Sequence, residues 1–165
     1  MTVDLVRHGA TAWSSTGRYT GRTDLPLSRS GRQEAAALME PLGKHDYLTV
    51  WSSPLLRAVE TASLAGFVPH IDERLAEFDF GEIEGNRWDD LSPSVQAALA
   101  AFDSFVAPSG EAVVDFTSRV LSWWYDLAPG RHLAFCHGGV IRVIQRHRGA
   151  DTLVQTGAVV SVHRG

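Results

Sequence analysis

The hydrophobic pattern along the chain predicts strands that alternate with helices. A run of β-branched and apolar residues at Thr2–Arg7 is typical of a strand. Runs of similar character follow at 48–52, 68–71, 132–136 and 158–162. Apolar residues at helical spacing, together with helix-starting prolines and helix-ending glycines, predict helices over 28–43, 54–65, 88–102, 111–127 and 140–148. This alternation predicts a mainly parallel sheet with helices on both faces.

Capping and helix-breaking residues refine the predicted boundaries. The first helix begins at Ser28 or Ser30, either of which can cap it. Four apolar residues at helical spacing form its expected buried face: Ala35, Leu38, Met39 and Leu42. Pro93 lies near the start of the third helix or at a break between two pieces. Residues 9–26 form a long predicted loop, and a loop of this length in a compact domain is usually functional.

Two of the predicted strands end in similar residues. The sequence Arg7-His8-Gly9 follows the first strand, and His137-Gly138 follows the fourth. Because ligands of such sheets bind beyond the carboxyl ends of the strands, we expect both histidines and Arg7 at one rim. Arginine offers a planar fork to phosphate or carboxylate, and histidine can act as a nucleophile or proton carrier. The alternative is a strand end with an exposed arginine and a histidine that caps a loop carbonyl.

Two further segments place charged side chains near predicted element ends. Arg57 falls in the first turn of a helix that follows a strand, where the helix N-terminus favours an anion. The alternative is a solvated arginine paired with Glu60 or Glu34. Residues 74–85 contain a carboxylate flanked by apolar residues, which could be desolvated and have a raised pKa suited to general acid catalysis. The alternative is a group of loop carboxylates that face water.

Cys136 is the one cysteine of the sequence, which excludes a disulfide scaffold and a cysteine-based zinc site. Cys136 and Arg142 have the Cys-x5-Arg spacing of cysteine-dependent phosphatases. However, Val143 replaces the usual Ser or Thr, and Phe135 replaces the usual His. We therefore expect Cys136 to end a buried strand as a small apolar residue. The sequence contains no Asp, Glu and His set with metal-ligand spacing, so neither a metal nor a cofactor is predicted.

In combination these motifs resemble the histidine phosphatase superfamily, also called the phosphoglycerate mutase-like or RHG family. The resemblance extends over nearly the whole chain. The matching segments are 5–11, 17–28 with Gly31, 52–62, Glu77 with 80–81 and 84–85, 108–111 and 137–139. The resemblance implies one phosphoglycerate mutase-like domain over residues 1–165, folded as a three-layer α/β/α sandwich with a mostly parallel sheet.

The resemblance also implies roles for five side chains. His8 would be transiently phosphorylated on one ring nitrogen, while a backbone carbonyl near Gly9 holds the N–H of the other. The phosphate pocket would be formed by Arg7, Arg57 and His137. Glu77 would protonate the leaving alcohol and then activate the water that releases phosphate. Transfer in two steps would make each step easier than direct attack by water.

Four more positions are expected to bind substrate by the same resemblance. They are Ser14, Thr20, Gly21 and Gly138. Ser14 stands six positions after His8, where members of the family often have Asn. Because its side chain is shorter and has one hydroxyl in place of an amide, it would reach phosphate through water.

The motifs favour hydrolysis over internal phosphate transfer. Phosphoglycerate mutases similar to this chain have a Tyr-Gly and Leu-Asn-Lys pattern after the acidic residue and a long Arg-rich insertion. This chain has Phe80-Gly81 instead, and no basic residue from 88 to 107. A second phosphate or carboxylate would therefore lack cationic partners. The resemblance implies a metal-independent phosphomonoester hydrolase, with a mutase-type phosphotransferase or a non-catalytic phosphate-binding relative as alternatives.

The substrate class stays open at this point. A sugar phosphate, a ribazole phosphate, a nucleotide and a phosphoprotein are all compatible with the motifs. Acidic residues that could face the pocket mouth and disfavour highly anionic substrates are Asp79, Glu82, Asp89, Asp90 and Glu111. Aromatic residues that could stack on a base or sugar, or else belong to the core, are Trp13, Phe78, Phe80 and Trp88.

Net charge and composition indicate which classes of binding partner to expect. The 165 residues have a net charge of -4 and a sequence pI near 5.9, so we expect no nucleic-acid partner. No apolar run approaches the roughly 20 residues of a membrane span, and residues 1–7 lack signal-peptide features, which favours the cytoplasm. Trp123 and Trp124 point in different directions, so one of them either faces a partner or is covered by a neighbouring loop. Monomer and homodimer both stay open.

Overall fold

A central sheet organises the computed structural model, which describes residues 1–164. Its strands are β1 (Thr2–Arg7), β2 (Thr49–Ser52), β3 (His70–Ile71), β4 (Arg131–Cys136) and β5 (Val159–His163). They lie side by side in the order β3-β2-β4-β1-β5. β3, β2, β4 and β1 are mutually parallel, and β5 pairs with β1 in the antiparallel sense. The predicted, mostly parallel sheet is confirmed.

Helices cover both faces of the sheet. They are α1 (Arg29–Ala37), α2 (Met39–Leu42), α3 (Leu56–Leu64), α4 (Pro93–Ala101), α5 (Val113–Asp126) and α6 (Gly138–His147). Residues of α2 and α3 pack with Val6 and Phe135 on one face. Residues of α5 and α6 pack with Leu5 and Ala134 on the other face. Because neighbouring strand residues point to opposite faces, the central strands β1 and β4 contribute to two cores and the fold has three layers.

The first predicted helix is divided into α1 and α2. Ser28, not Ser30, is the N-cap, and its side chain accepts a hydrogen bond from Gly31 N at 3.1 Å. The chain leaves α1 at Leu38 before α2 begins, which changes the direction of the side chains that follow. Leu38 remains buried, but Met39 is 54% exposed, so its predicted place in the core is wrong.

Other boundaries differ from the pattern in smaller ways. The helix predicted over 88–102 is a short 3-10 turn at Trp88–Asp90 followed by α4, so Pro93 starts the second piece. The helix predicted from residue 54 begins at Leu56. β3 has two residues in place of the four predicted, and Val68 is almost fully exposed because it lies outside the pairing with β2.

The adjacent tryptophans of α5 are both fully buried. The Trp123 ring packs edge-on against Trp51 at 6.4 Å between centroids. The Arg164 guanidinium covers Trp124 and donates to its carbonyl at 2.8 Å. Of the two alternatives, coverage by a neighbouring segment is therefore confirmed. No helix within residues 1–164 combines the length and apolarity needed to cross a membrane.

Candidate active site

The two motif histidines lie side by side at the carboxyl end of the sheet. β1 and β4 are neighbours, and Arg7 is in register with Cys136. His8 N donates to the Cys136 carbonyl at 3.0 Å, which extends the pairing by one residue. As a result the rings of His8 and His137 are 5.2 Å apart, and both residues are buried. The rim predicted from the two strand ends is therefore present.

The imidazole of His8 is held in one tautomer. Its Nδ1 lies 2.8 Å from the Gly9 carbonyl oxygen, which can only accept, so the ring proton is on Nδ1. Burial lowers the pKa of His8 to about 3, helped by the positive charges of Arg57 and Arg7, although the Gly9 contact opposes the shift. At neutral pH the ring is uncharged, and Nε2 has a free lone pair.

His137 has the complementary arrangement. Its Nε2 lies 2.7 Å from the Ser53 hydroxyl, and that oxygen already accepts from Leu55 N at 3.2 Å. If the hydroxyl donates its hydrogen to Nε2, the imidazole proton is on Nδ1. This nitrogen is buried and has no partner among the described residues. Burial, followed by the charge of Arg57, lowers the pKa of His137 well below its ordinary value.

Arg57 is fully buried near these rings. It donates from Nη1 to the Thr23 carbonyl at 3.0 Å and from Nη2 to the Gly21 carbonyl at 2.8 Å. The alternative of a solvated arginine paired with Glu60 or Glu34 is therefore wrong. Glu60 pairs instead with Arg32 at 3.2 Å, and the guanidinium of Arg57 is bound to backbone carbonyls of residues 21 and 23.

Arg7 completes the group of positively charged side chains. Its Nη1 donates to the Val154 carbonyl, which belongs to the irregular segment before β5. The Nε atoms of Arg7 and Arg57, like Nδ1 of His137, are buried without a partner within residues 1–164. Buried donors are nearly always satisfied in proteins, so three such atoms around one imidazole indicate an anion site with several oxygens to bind.

Glu77 lies in the same site with both carboxyl oxygens occupied. Oε1 accepts from Phe78 N at 2.9 Å, and Oε2 accepts from Gly139 N at 3.0 Å at the start of α6. Burial raises the pKa of Glu77, although the two N–H contacts and the charges of Arg57 and Arg7 oppose the shift. This is the desolvated carboxyl that the sequence pattern of 74–85 allowed. The side chain is suited to hold and move a proton.

A cavity of about 690 Å³ opens from this group of residues. Arg7, His8 and Glu77 line its inner end, whereas Arg57 and His137 are fully buried and do not line it. Within the described residues, no group of His, Cys, Asp and Glu is arranged to hold a metal ion.

Three of the four expected substrate-binding residues line the cavity, and the fourth does not. Ser14, Thr20 and Gly138 line the cavity. The Ser14 hydroxyl also accepts from Thr11 N at 2.8 Å, so it stabilises its own loop. Gly21 does not line the cavity; its carbonyl anchors Arg57, and a Cβ there would lie 2.3 Å from the Phe78 carbonyl oxygen.

Two expectations about the cavity mouth need correction. None of the five acidic residues proposed for it lines the cavity. Asp79, for example, accepts from Gly81 N at 2.9 Å, and Glu111 forms an ion pair with Arg119. Donors close to Asp79 and Glu111 bind these two carboxylates and hold them away from the cavity. Phe80 and Trp88 do line it, whereas Trp13 does not and Phe78 is fully buried in the core.

Arg18 and Tyr19 lie in the matching segment 17–28, and Arg142 has the Cys-x5-Arg spacing, but none of the three was expected to line the cavity. Cavity residues without any signal in the sequence are Leu99, Phe102, Asp151, Leu153 and Val154. The last three belong to a stretch without periodicity, and a contact between distant parts of the chain helps to fix its position. This contact is the hydrogen bond from Arg7 Nη1 to the Val154 carbonyl.

The cysteine alternative is not supported by the geometry. Cys136 is fully buried in the apolar core under α6, where burial raises the pKa of its thiol. Arg142 pairs with Asp151 and donates to the Ala100 carbonyl at 3.0 Å. A thiol that stays protonated, without its arginine, is not a nucleophile. Cys136 is the small apolar strand residue that was expected.

Comparison with known proteins defines the family. Residues 3–153 match the model of the histidine phosphatase superfamily (branch 1), and the chain belongs to this superfamily. It is 32% identical over 155 residues to a metal-independent phosphoserine phosphatase of Arabidopsis thaliana, covering 85% of this chain and 65% of that protein. It is 37% identical over 118 residues to an acid phosphatase of Mycobacterium tuberculosis, covering 70% and 57%. The chain thus spans less than two thirds of either relative.

A solved structure supports the same fold family. The phosphoglycerate mutase from Thermus thermophilus superposes with a TM-score of 0.91 and 42% sequence identity. The match covers 98% of this chain and 92% of that chain. The expected phosphoglycerate mutase-like fold is therefore confirmed, and the similar proteins include both phosphatases and a mutase.

Proposed function

We propose that the protein is a metal-independent phosphomonoester hydrolase that works through a phosphohistidine on His8, with residues 1–165 forming one domain. The main support is the state of the His8 ring, whose Nδ1–H is fixed by the Gly9 carbonyl. Burial and two guanidinium groups keep this ring uncharged. A neutral imidazole with its lone pair on Nε2, at the inner end of a cavity, is the nucleophile that phosphoryl transfer needs.

In the first step, Nε2 of His8 attacks the phosphorus as the bond to the leaving oxygen breaks. Glu77, with its raised pKa, gives its proton to that oxygen. Arg7 lines the cavity and would hold the remaining phosphate oxygens, while the charge of Arg57 and the neighbouring ring of His137 stabilise them as charge spreads in transfer. Ser14, Thr20 and Gly138 line the cavity and would contact the substrate there.

In the second step, the ionised Glu77 takes a proton from water. The water oxygen attacks the phosphorus, the bond to His8 Nε2 breaks, and inorganic phosphate leaves. Glu77 is thereby protonated again and His8 is neutral. The cycle needs only groups of the protein, substrate and water, so the residues themselves supply the acid, the base and the positive charge.

Hydrolysis is preferred to mutase chemistry because the outer cavity offers few free cations. A mutase must keep water out and hold a second anionic group of its substrate. Two further arginines line the cavity. Arg142 is paired with Asp151, and Arg18 donates to the Gly85 carbonyl. Mutase-type transfer is the second candidate because the chain is similar to the phosphoglycerate mutase from Thermus thermophilus.

The experiment is to trap the phosphoenzyme. Labelled aryl phosphate is mixed with the protein, quenched in alkali, which preserves phosphohistidine, and the bound label is counted. We expect label on the wild type and on Cys136→Ser, and none on His8→Ala. Label on His8→Ala at the wild-type level would overturn the assignment. Activity should persist in EDTA, and 3-phosphoglycerate should yield inorganic phosphate; its isomerisation without phosphate release would favour the mutase.

A further inference from the structure

The cavity is much larger than a phosphate group requires. Its volume of about 690 Å³ extends outward from His8 and Glu77. Pockets of roughly 300–1,000 Å³ enclose ligands of the size of drugs and cofactors. A small phosphorylated acid would fill only the inner end and leave the outer walls in contact with water.

The outer walls are mainly apolar. The side chains that form them are Phe80, Trp88, Leu99, Phe102, Leu153 and Val154. Trp88 is 42% exposed and Leu153 is 86% exposed, although both are large apolar residues. Exposed apolar surface grouped in a concave site is typical of a place where an apolar ligand binds. A ligand that covers these two side chains removes their apolar surface from water, and this burial contributes favourable free energy to binding.

The charged groups of the outer cavity are largely engaged with other groups of the protein. Asp151 accepts from Arg142 at 2.8 Å and from Arg146 at 2.6 Å. Arg142 also donates to the Ala100 carbonyl at 3.0 Å. Of the two arginines that line the outer cavity, Arg18 has no carboxylate partner in the part of the chain described, and it donates to the Gly85 carbonyl at 2.7 Å. A second anionic group on the substrate would therefore meet one partly occupied cation.

We infer that the alcohol released by this site is bulky and uncharged, with an aromatic or otherwise apolar body, and that Trp88 and Leu153 select it. The inference rests on the proposed hydrolysis at His8. The phosphate binds at the inner end, the ester oxygen faces Glu77, and the apolar body lies against the outer walls. Esters that bear a second negative charge on a small alcohol are poorer substrates.

The test compares one bulky, uncharged ester with two small esters that each bear a carboxylate; all three are esters of primary alcohols. The substrates are 2-naphthylmethyl phosphate, phosphoserine and 3-phosphoglycerate, and the measurement is kcat/KM from phosphate release. We expect the naphthylmethyl ester to be hydrolysed at least about tenfold more efficiently, as for the burial of roughly two methylene groups.

Wall variants separate selection from catalysis. Trp88→Ala and Leu153→Ala should each raise KM for the naphthylmethyl ester several-fold and change KM for phosphoserine much less. Leu153→Ala keeps the test valid if Trp88→Ala fails to fold, because Leu153 lies outside the core. The matched control is Val68→Ala, an exposed apolar residue that does not line the cavity. This variant should change KM for neither the naphthylmethyl ester nor phosphoserine.

The outcomes separate the inference from the function on which it rests. If no ester is hydrolysed and no phosphoenzyme forms, the proposed function fails. If the esters are hydrolysed but 3-phosphoglycerate or phosphoserine is preferred, the inference is overturned while the function stands. The same holds if the wall variants slow all three esters equally. A preference for 3-phosphoglycerate that disappears in Arg18→Gln would show that the cavity recognises a second charge.

Discussion

Arg119 and Glu111 form a two-point ion pair beneath the segment that contains Glu77. Arg119 Nε lies 2.7 Å from Glu111 Oε1, and Nη2 lies 2.9 Å from Oε2. The same guanidinium donates to the carbonyls of Ala76 at 2.7 Å and Glu77 at 3.0 Å. Glu111 in turn accepts from Asp79 N at 3.2 Å. The backbone is therefore held on both sides of Glu77, which fixes where its carboxyl group points.

Glu111→Gln should disturb Glu77 without touching the substrate. The change removes the negative charge that holds Arg119, so we expect stability to fall by about 1–3 kcal/mol. The kcat for an alkyl phosphate should fall more than that for p-nitrophenyl phosphate, because a good leaving group needs less help from an acid. The control is Asp126→Asn, which removes an exposed partner of Arg74. Equal losses with both substrates would show a merely structural role.

The activity should have an acidic pH optimum. The kcat/KM of the free enzyme rises as His8 loses its proton, with a pKa of about 3. It falls as Glu77 ionises, at a pKa raised by burial. A profile from pH 2.5 to 8, corrected for ionisation of the substrate phosphate, measures both limbs. Glu77→Gln should lose the alkaline limb, and an acid limb near pH 6.5, roughly the value of an unperturbed histidine, would contradict the state assigned to His8.

Stability should fall as the solution becomes acidic. His8 and His137 have lowered pKa values in the folded protein, whereas unfolded histidines titrate near 6.5. Below about pH 6.5 the unfolded chain therefore binds more protons, which favours unfolding until the folded His8 also titrates near pH 3. Urea unfolding at pH 7 and pH 5 measures the effect. His8→Gln should lose less stability between these pH values than the wild type; an equal loss would refute the explanation.

Gly139→Ala should impair catalysis by displacing Glu77. A Cβ at this position would lie 2.3 Å from Glu77 Oε1, so the carboxyl must move from its N–H partner. We expect kcat for alkyl phosphates to fall about tenfold or more, as for loss of a positioned acid. Gly138→Ala is the matched comparison, because its nearest contacts are Arg7 atoms at 3.6 Å. A larger loss in Gly138→Ala than in Gly139→Ala would contradict the steric argument.

Local patterns predicted the inner part of the site. Arg7, His8 and His137 follow strands whose hydrophobic runs are plain in the sequence, and parallel strands bring their ends together. The cap at Ser28 was predicted by its residue type, although Ser30 was equally suitable.

Phe80 and Trp88 were expected as possible wall residues, but the wall formed by residues 151–154 could not be predicted, because a contact distant in sequence helps to position it. Leu153 and Val154 are in an irregular stretch held by Asp151 and by the Arg7 contact to the Val154 carbonyl. Met39 was misplaced because spacing alone does not reveal that a helix stops and restarts at Leu38. Asp79 was misplaced because a nearby backbone N–H, not the cavity, determines where its carboxylate points.

The spacing of the two imidazoles is a property of the sheet, since His8 and His137 follow positions that are paired in register. The apolar walls belong to other segments, such as the turn with Trp88 and the stretch with Leu153. Changes of the wall side chains should therefore leave the spacing of the two imidazoles as it is, provided that the Val154 carbonyl stays on Arg7. A protein engineer could exchange these outer side chains to direct the proposed hydrolysis toward a different alcohol, keeping one reaction centre throughout.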